Sequence, residues 1–273
     1  MPNKIGIYIP SKGRSDRAWI KRGPLSSIPK SLRRTVTYVV SENEYDEYSN
    51  MLPSHVNLVS CPYDNNIGKV RQWILENAEH KYVLFSSDDL KFSKREGDKL
   101  LNVDKKMFVL MLDDIFEQLE KGYVHVGVSQ RAFNRDDSKS YVINQRMNDF
   151  YAYNVKKVLK SGARFDRMPV MEDFDMTLTL LEKGYKNIIL YKWAWAQRKS
   201  GDIGGCSSYR KSSVQASAAR LLAQLHPGVV KIVEKESKVE WGGLGTKRTD
   251  VIISWKKAYR PRNKKPITSF FGA

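Results

Sequence analysis

Cysteine is almost missing from this chain: Cys61 and Cys206 are the two among 273 residues. Two sulfurs so far apart build neither a disulfide framework nor a metal knuckle, which suits a reducing compartment. No apolar run approaches the roughly 20 residues that a membrane-spanning helix requires. Residues 1–4 lead directly into a strand-like stretch, leaving no room for a secretory signal. The expectation is a soluble cytoplasmic protein with no membrane partner. A Walker loop and a G-x-G-x-x-G run are absent too, which excludes the familiar nucleotide fingerprints. Acid is scarce relative to base: 30 Asp and Glu stand against 47 Lys and Arg, a formal net charge of +17.

That surplus is concentrated. Residues 203–273 hold fourteen Lys and Arg against four Asp and Glu. A second cluster is Lys12, Arg14, Arg17, Lys21, Arg22, Lys30, Arg33 and Arg34, opposed by Asp16 alone. A field of this sign attracts polyanions through phosphate contacts and counterion release. No basic amphipathic helix rich in Trp, Phe or Leu stands out, so nucleic acid ranks above an anionic membrane.

Among what is present, Tyr82-Val83-Leu84-Phe85 reads as a strand buried on both faces, the kind found inside a parallel sheet. It stops at Ser86-Ser87-Asp88-Asp89. Ligands of open α/β sheets bind beyond the carboxyl ends of strands, so this acidic tip stands where chemistry is expected. Adjacent carboxylates repel unless a cation or proton neutralises them. Mg²⁺-like cations use one or two carboxylates plus phosphate oxygens. An acidic turn that merely caps the next element fits the same residues.

Along the chain, strands are predicted at 4–10, 35–40, 56–60, 82–86 and 123–128, with helices at 45–50, 68–78 and 108–120. That order gives an α/β chain with a mainly parallel sheet. Ser11-Lys12-Gly13-Arg14, after the first strand, can cradle a nucleotide or its phosphates. Residues 17–34 read as irregular, broken by Gly23-Pro24 and Pro29. In the second helix Val70, Trp73, Ile74 and Ala78 form the stripe expected to face the sheet. Arg71 falls off that stripe, free to meet a phosphate, pair with a carboxylate or stay solvated. A basic segment follows the acidic tip, and residues 132–149 read as loop with a short strand at 140–144. A strand at 150–154 and a short helix at 155–161 come next, then Met171-Glu172-Asp173-Phe174-Asp175 opens a helix to about 183. Acids suit a helix start, yet three carboxylates in four positions exceed what capping needs, and one can serve as a proton acceptor. A strand within 185–196, a glycine-rich loop at 198–206, a helix at 212–225 and strands at 229–233 and 250–255 complete the reading.

Taken together, these pieces resemble nucleotide-sugar glycosyltransferases of the GT-A fold over roughly residues 4–195. The anchors are Pro10-Ser11-Lys12-Gly13-Arg14, Asn66-Ile67-Gly68-Lys69-Val70-Arg71, Ser87-Asp88-Asp89 and Glu172-Asp173. The implied fold is a Rossmann-like, mixed and mainly parallel sheet flanked by helices, with a basic C-terminal α+β extension. Expected bounds are 1–203 for the transferase domain, 204–259 for the extension and 260–273 for a basic tail. In that family the acidic tip is an Asp-x-Asp motif holding a divalent metal, Mn²⁺ or Mg²⁺, on the donor's diphosphate. Here Ser87 takes its first position, which leaves Asp89 as metal ligand and Asp88 near the donor sugar or ribose. The resemblance makes Asp173 the general base with Glu172 beside it. It makes Pro10, Ser11, Lys12, Arg14, Glu42, Asn66, Gly68, Arg71, Ser87 and Asp88 the nucleotide-sugar contacts. The family's late histidine ligand has no clear equivalent.

Within the fold, the basic surface and Gly204-Gly205-Cys206-Ser207-Ser208-Tyr209-Arg210 resemble the phage TET-associated glycosyltransferases, which act on hydroxymethylated pyrimidines. The resemblance implies a UDP-sugar donor, UDP-glucose first, and double-stranded DNA carrying hydroxymethylcytosine or hydroxymethyluracil as acceptor. It assigns Arg131, Arg198, Arg210 and Lys211 to DNA phosphates, and it places the enzyme in a phage host's cytoplasm. Separately, Lys264-Lys265-Pro266-Ile267-Thr268-Ser269-Phe270-Phe271 resembles a sliding-clamp-binding peptide, with Ile267, Phe270 and Phe271 as anchors. Packing of those three onto the protein's own core is the alternative. Two rival readings stand beside the lead: a same-fold transferase acting on a surface glycan or lipid carrier, and a non-catalytic replication-associated DNA-binding protein.

Overall fold

A computed structural model describes residues 4–16, 22–134, 138–197, 204–236 and 247–261. The main sheet is built from strands β1 (Ile5–Pro10), β2 (Val36–Ser41), β3 (Asn57–Cys61), β4 (Tyr82–Ser86) and β5 (Lys91–Glu96). It continues with β6 (Lys99–Asn102), β7 (His125–Gln130), β8 (Tyr141–Ile143), β9 (Phe150–Asn154) and β10 (Asn187–Ala196). Their order is β3-β2-β1-β4-β9-β7-β10-β5-β6, with β8 paired to β10. β3, β2, β1 and β4 run parallel, and β10 runs parallel to β7. β9 is antiparallel to both β4 and β7, so all six of those strands share one direction. Strand β4 therefore has a parallel neighbour on one side and an antiparallel one on the other, within the mixed, mainly parallel sheet that was expected.

Alternation along the central strands sends side chains into two cores. Ile7, Ile9 and Leu84 point to one side, where Phe108, Met111 and Ile115 of helix α3 (Lys105–Glu120) cover them. Tyr8, Val83 and Phe85 point to the other, against helix α2 (Ile67–Asn77) through Ile74 and Leu75, and against α5 (Glu172–Glu182) through Met176 and Leu180. Helix starts are set by side chains that accept otherwise unpaired backbone N–H groups. Asn66 caps α2 through Lys69 N at 3.0 Å, and Asp104 caps α3 through Met107 N at 2.7 Å. Asn154 does the same for α4 (Val155–Ser161), which follows the shorter α1 (Tyr45–Met51).

The far side of α5 carries a third core. Leu178 and Leu181 meet Ala218, Ala219 and Leu222 of α6 (Ser212–Leu225), Val251 of the two-stranded hairpin β11 (Val230–Glu236)–β12 (Lys247–Ile253), and Ala258 of α7 (Trp255–Ala258). Two expectations change. The basic segment after the acidic tip is a β-hairpin, β5–β6, and residues 24–35 contain two 3₁₀ turns. The chain visits β2 and β3 on one side of β1, then crosses to β4 on the other, which opens a crevice at the strands' carboxyl ends. Among the described residues no helix is long and apolar enough to cross a membrane. The expected phosphate contact Arg198 and the clamp anchors Ile267, Phe270 and Phe271 lie outside the described residues.

Candidate active site

A cleft of about 700 Å³ opens at that crevice, and its walls include Pro10, Ser11, Lys12, Arg14, Asn66, Arg71, Ser87, Asp88, Asp89, Glu172, Asp173 and Arg210. Strand β4 delivers the acidic tip. Asp88 is held by Ser11 Oγ and by the Arg14 guanidinium. Arg14 also lies 3.5 Å from Asp89 Oδ2. Asp89 Oδ1 is buried with no hydrogen-bond partner among the described residues. Burial, then the adjacent Asp88 charge, pushes the Asp89 carboxyl up to about 7. An orphaned anionic oxygen in a polar cleft fits a hard cation that takes its other ligands from phosphate and water. Among the described residues no group of three or more His, Cys, Asp or Glu is placed to hold a metal.

The loop after β1 is fastened by a residue that sequence reading passed over. Tyr48 of α1 is buried, shares a 2.7 Å hydrogen bond with Ser11 Oγ and accepts one from Arg14 N at 3.0 Å. Lys12 pairs with Asp64 at the rim. Glu44 receives Gly13 N at 2.6 Å and lines the cleft, whereas the expected Glu42 is exposed and does not. Gly68 is also off the cleft wall. A Cβ there would stand 2.3 Å from Met168 O, so its absence lets α2 pack on the 165–168 backbone.

Across the cleft, Met171 adopts a left-handed φ of 62° and turns the chain sharply into α5. Glu172 is buried and accepts from Arg71, whose guanidinium lies 5.5 Å over the Tyr151 ring. Arg71 is thus on the buried face of α2, not off it and not solvated. Burial raises the Glu172 carboxyl, against the opposing pull of Arg71. Asp173 faces the cleft, with Arg146 Nη2 3.9 Å away. Asp175 points elsewhere: it is fully buried, bonded to Arg167 and 2.8 Å from His226 Nε2. His226, the last histidine of the chain, is therefore tied into the α5–α6 packing.

Asp149 joins the site unannounced by sequence. It too is left-handed, with φ 62°, and lines the cleft. Its carboxylate accepts from Ser87 Oγ at 2.9 Å, Gln197 Nε2 at 2.8 Å and Asn148 Nδ2 at 2.6 Å. Burial, then Asp173, raises its pKa. Left-handed non-glycine residues store strain of about 1–3 kcal/mol each and gather at functional sites.

The outer wall comes from the C-terminal extension. Gly204 has φ +88°, and a Cβ there would lie 2.6 Å from Lys12 O. Gly205 N donates to that same carbonyl at 2.8 Å. Tyr209 OH accepts from Ile67 N at 3.1 Å and Arg210 holds Gln215. Lys211, before α6, and Arg131 are exposed and stand off the cleft wall. Near Arg131, Phe133 does line it, and the residue is 63% exposed, offering an aromatic side chain to solvent at the rim.

Comparison with known proteins agrees with this architecture. A family model described as TET-Associated Glycosyltransferase matches residues 5–205. The beta-glucosyl-HMC-alpha-glucosyl-transferase of enterobacteria phage T2 is 24% identical over 189 residues, covering 64% of this chain and 66% of its own length, just under two thirds. Among solved structures, S. aureus TarS 1–349 superposes with a TM-score of 0.52 at 15% identity, over 87% of this chain and 67% of its own. The mannosyltransferase PcManGT from Pyrobaculum calidifontis, solved with GDP-Man and Mn²⁺, gives 0.53 at 14% identity, over 79% and 61%. The GT-A fold expected from the sequence is the one these structures share.

Proposed function

This chain belongs to the TET-associated glycosyltransferase family, and from that membership we propose that it moves a sugar from a nucleotide diphosphate donor, UDP-glucose first, to the hydroxymethyl group of a modified pyrimidine in double-stranded DNA. The observation that carries this reading is the partnerless Asp89 Oδ1, placed in one cleft with cationic side chains and with Asp173 opposite. A divalent ion held by Asp89, of the kind present in the PcManGT structure, would neutralise charge on the leaving diphosphate. Lys12 and Arg14 flank the donor's phosphates. Pro10, Asn66 and Ser87 wall the nucleotide, and Asp88, fixed by Ser11 and Arg14, meets the sugar or ribose. Asp173 takes the proton from the acceptor hydroxyl as it attacks the anomeric carbon. Arg71 and Glu172 lock the start of α5 so that Asp173 is presented at a fixed angle. Phe133 supplies a stacking face for a base drawn out of the duplex.

A second acceptor is favoured by one finding. The phage T2 relative is named for transfer onto beta-glucosyl-HMC, so a base already bearing glucose is the alternative substrate. Purified protein, labelled UDP-glucose and Mn²⁺ are tested against plain, hydroxymethylated and β-glucosylated duplexes. Label entering only modified DNA, and lost in Asp89→Ala, is expected. Donor hydrolysis with no DNA labelling overturns the reading. Single displacement inverts the anomeric centre, so a product that retains the donor's configuration would remove Asp173 from the role of simple base.

A further inference from the structure

The β11–β12 hairpin separates its charges by face. Its register sets Lys231 against Ile252, Val233 against Asp250 and Lys235 against Arg248. Directly opposed residues project from the same side, and alternate residues from opposite sides. Lys231, Lys235 and Arg248 therefore share one face, while Glu234, Glu236 and Lys247 share the other. The second face belongs to Val251, which is buried against α6. On the first, Arg248 and Asp250 line the cleft. The cations thus stand on the cleft side. Asp250 lies 3.1 Å from both Lys235 Nζ and Arg248 Nη2, holding two of them in place without cancelling the face's positive charge. The family match ends at residue 205, so nothing in it assigns a role to this hairpin.

We propose that the cleft-side face of β11–β12 is a ledge for the phosphate backbone of the acceptor duplex. The proposal rests on DNA being the acceptor. A strand of seven residues spans roughly 20 Å, about the axial rise of six base pairs of duplex. Arg248 sits at the cleft mouth with its fork restrained, and the lysines extend the contact outward on flexible stems. The cleft-side face carries three cations against one acid, Asp250, whereas the opposite face carries Lys247 against Glu234 and Glu236.

The test uses three single charge reversals in the full chain: Lys231→Glu, Lys235→Glu and Lys247→Glu. All three residues are exposed, and each change alters net charge equally. Binding to a hydroxymethylated duplex is measured by fluorescence anisotropy from 50 to 200 mM salt. Lys231→Glu and Lys235→Glu are each expected to weaken binding about 5–10-fold and to reduce the salt slope by about 1. Lys247→Glu should change either quantity by less than about 2-fold, and donor hydrolysis should be unchanged in all three. Lys235→Gln guards against repulsion with Asp250 and should lie between wild type and Lys235→Glu. Equal losses in all three reversals, or none, overturn the ledge while leaving the acceptor reading intact if wild type still labels DNA. Wild type that binds no duplex overturns both.

Discussion

Asp89 is a carboxylate kept where its charge is unwelcome. Its folded pKa near 7 compares with about 3.9 in an unfolded chain. Between those values the folded state holds the extra proton, so its contribution to stability is present in acid and is lost as pH rises toward 7. In metal-free buffer, Asp89→Asn should melt a few degrees above wild type at pH 8 and at the same temperature near pH 4. Adding Mn²⁺ at pH 8 should raise the melting temperature of wild type and not of the variant; calorimetry reads both. Asp173→Asn should lower kcat by about 10²–10⁴-fold with little change in donor affinity, measured by titration. The place of Asp88 and Asp89 in the cleft was legible because they end a buried strand, and an α/β sheet opens its crevice at the strands' carboxyl ends. Asp149 was not: it sits in a polar stretch with no periodic signal, and only its backbone turn and three donors mark it out.

Helices α2 and α5 meet at the site through the Arg71–Glu172 pair, with both side chains nearly sealed from water. Arg71→Met would strand a buried carboxylate, at a cost of about 3–5 kcal/mol, read as a lower urea midpoint. Adding Glu172→Gln should recover most of that stability and none of the transfer. Element positions were widely readable: the strand at 150–154 and the helices at 155–161 and 212–225 fall where expected. Hydrophobic spacing, however, counts apolar residues only, so the buried face around Arg71 and Gln72 lay outside the predicted stripe, and pairing with a carboxylate was one of three options left open for Arg71. The β5–β6 hairpin was missed because Lys91-Phe92-Ser93-Lys94-Arg95-Glu96 is dominated by charge, which reads as loop. The three acids of α5 could be sorted only in part. At 100° per residue Asp175 lies about 200° round the helix from Asp173, which sends it into the packing with Arg167 and His226.

At the scale of the whole molecule, the sheet's change of direction at β1 sets where the cleft opens, and the extension beyond residue 204 closes one side of it. The sequence's charge asymmetry pointed to that extension, but charge alone carries no fold, and its seat on the β1 loop emerges only from the packing of Gly204. Gly204→Ala places a methyl group against Lys12 O on a left-handed backbone. It should raise KM for the donor about 10-fold at unchanged urea midpoint of the main sheet, a local displacement worth about 1.4 kcal/mol.

The contact between Gly204 and the Lys12 carbonyl has a thermodynamic corollary. The segment that would receive the donor's phosphates and the segment leading to the hairpin touch backbone to backbone. Were that contact to couple donor and duplex, linkage would make it symmetric: the factor by which a nucleotide sugar tightened duplex binding would equal the factor by which duplex tightened the nucleotide sugar.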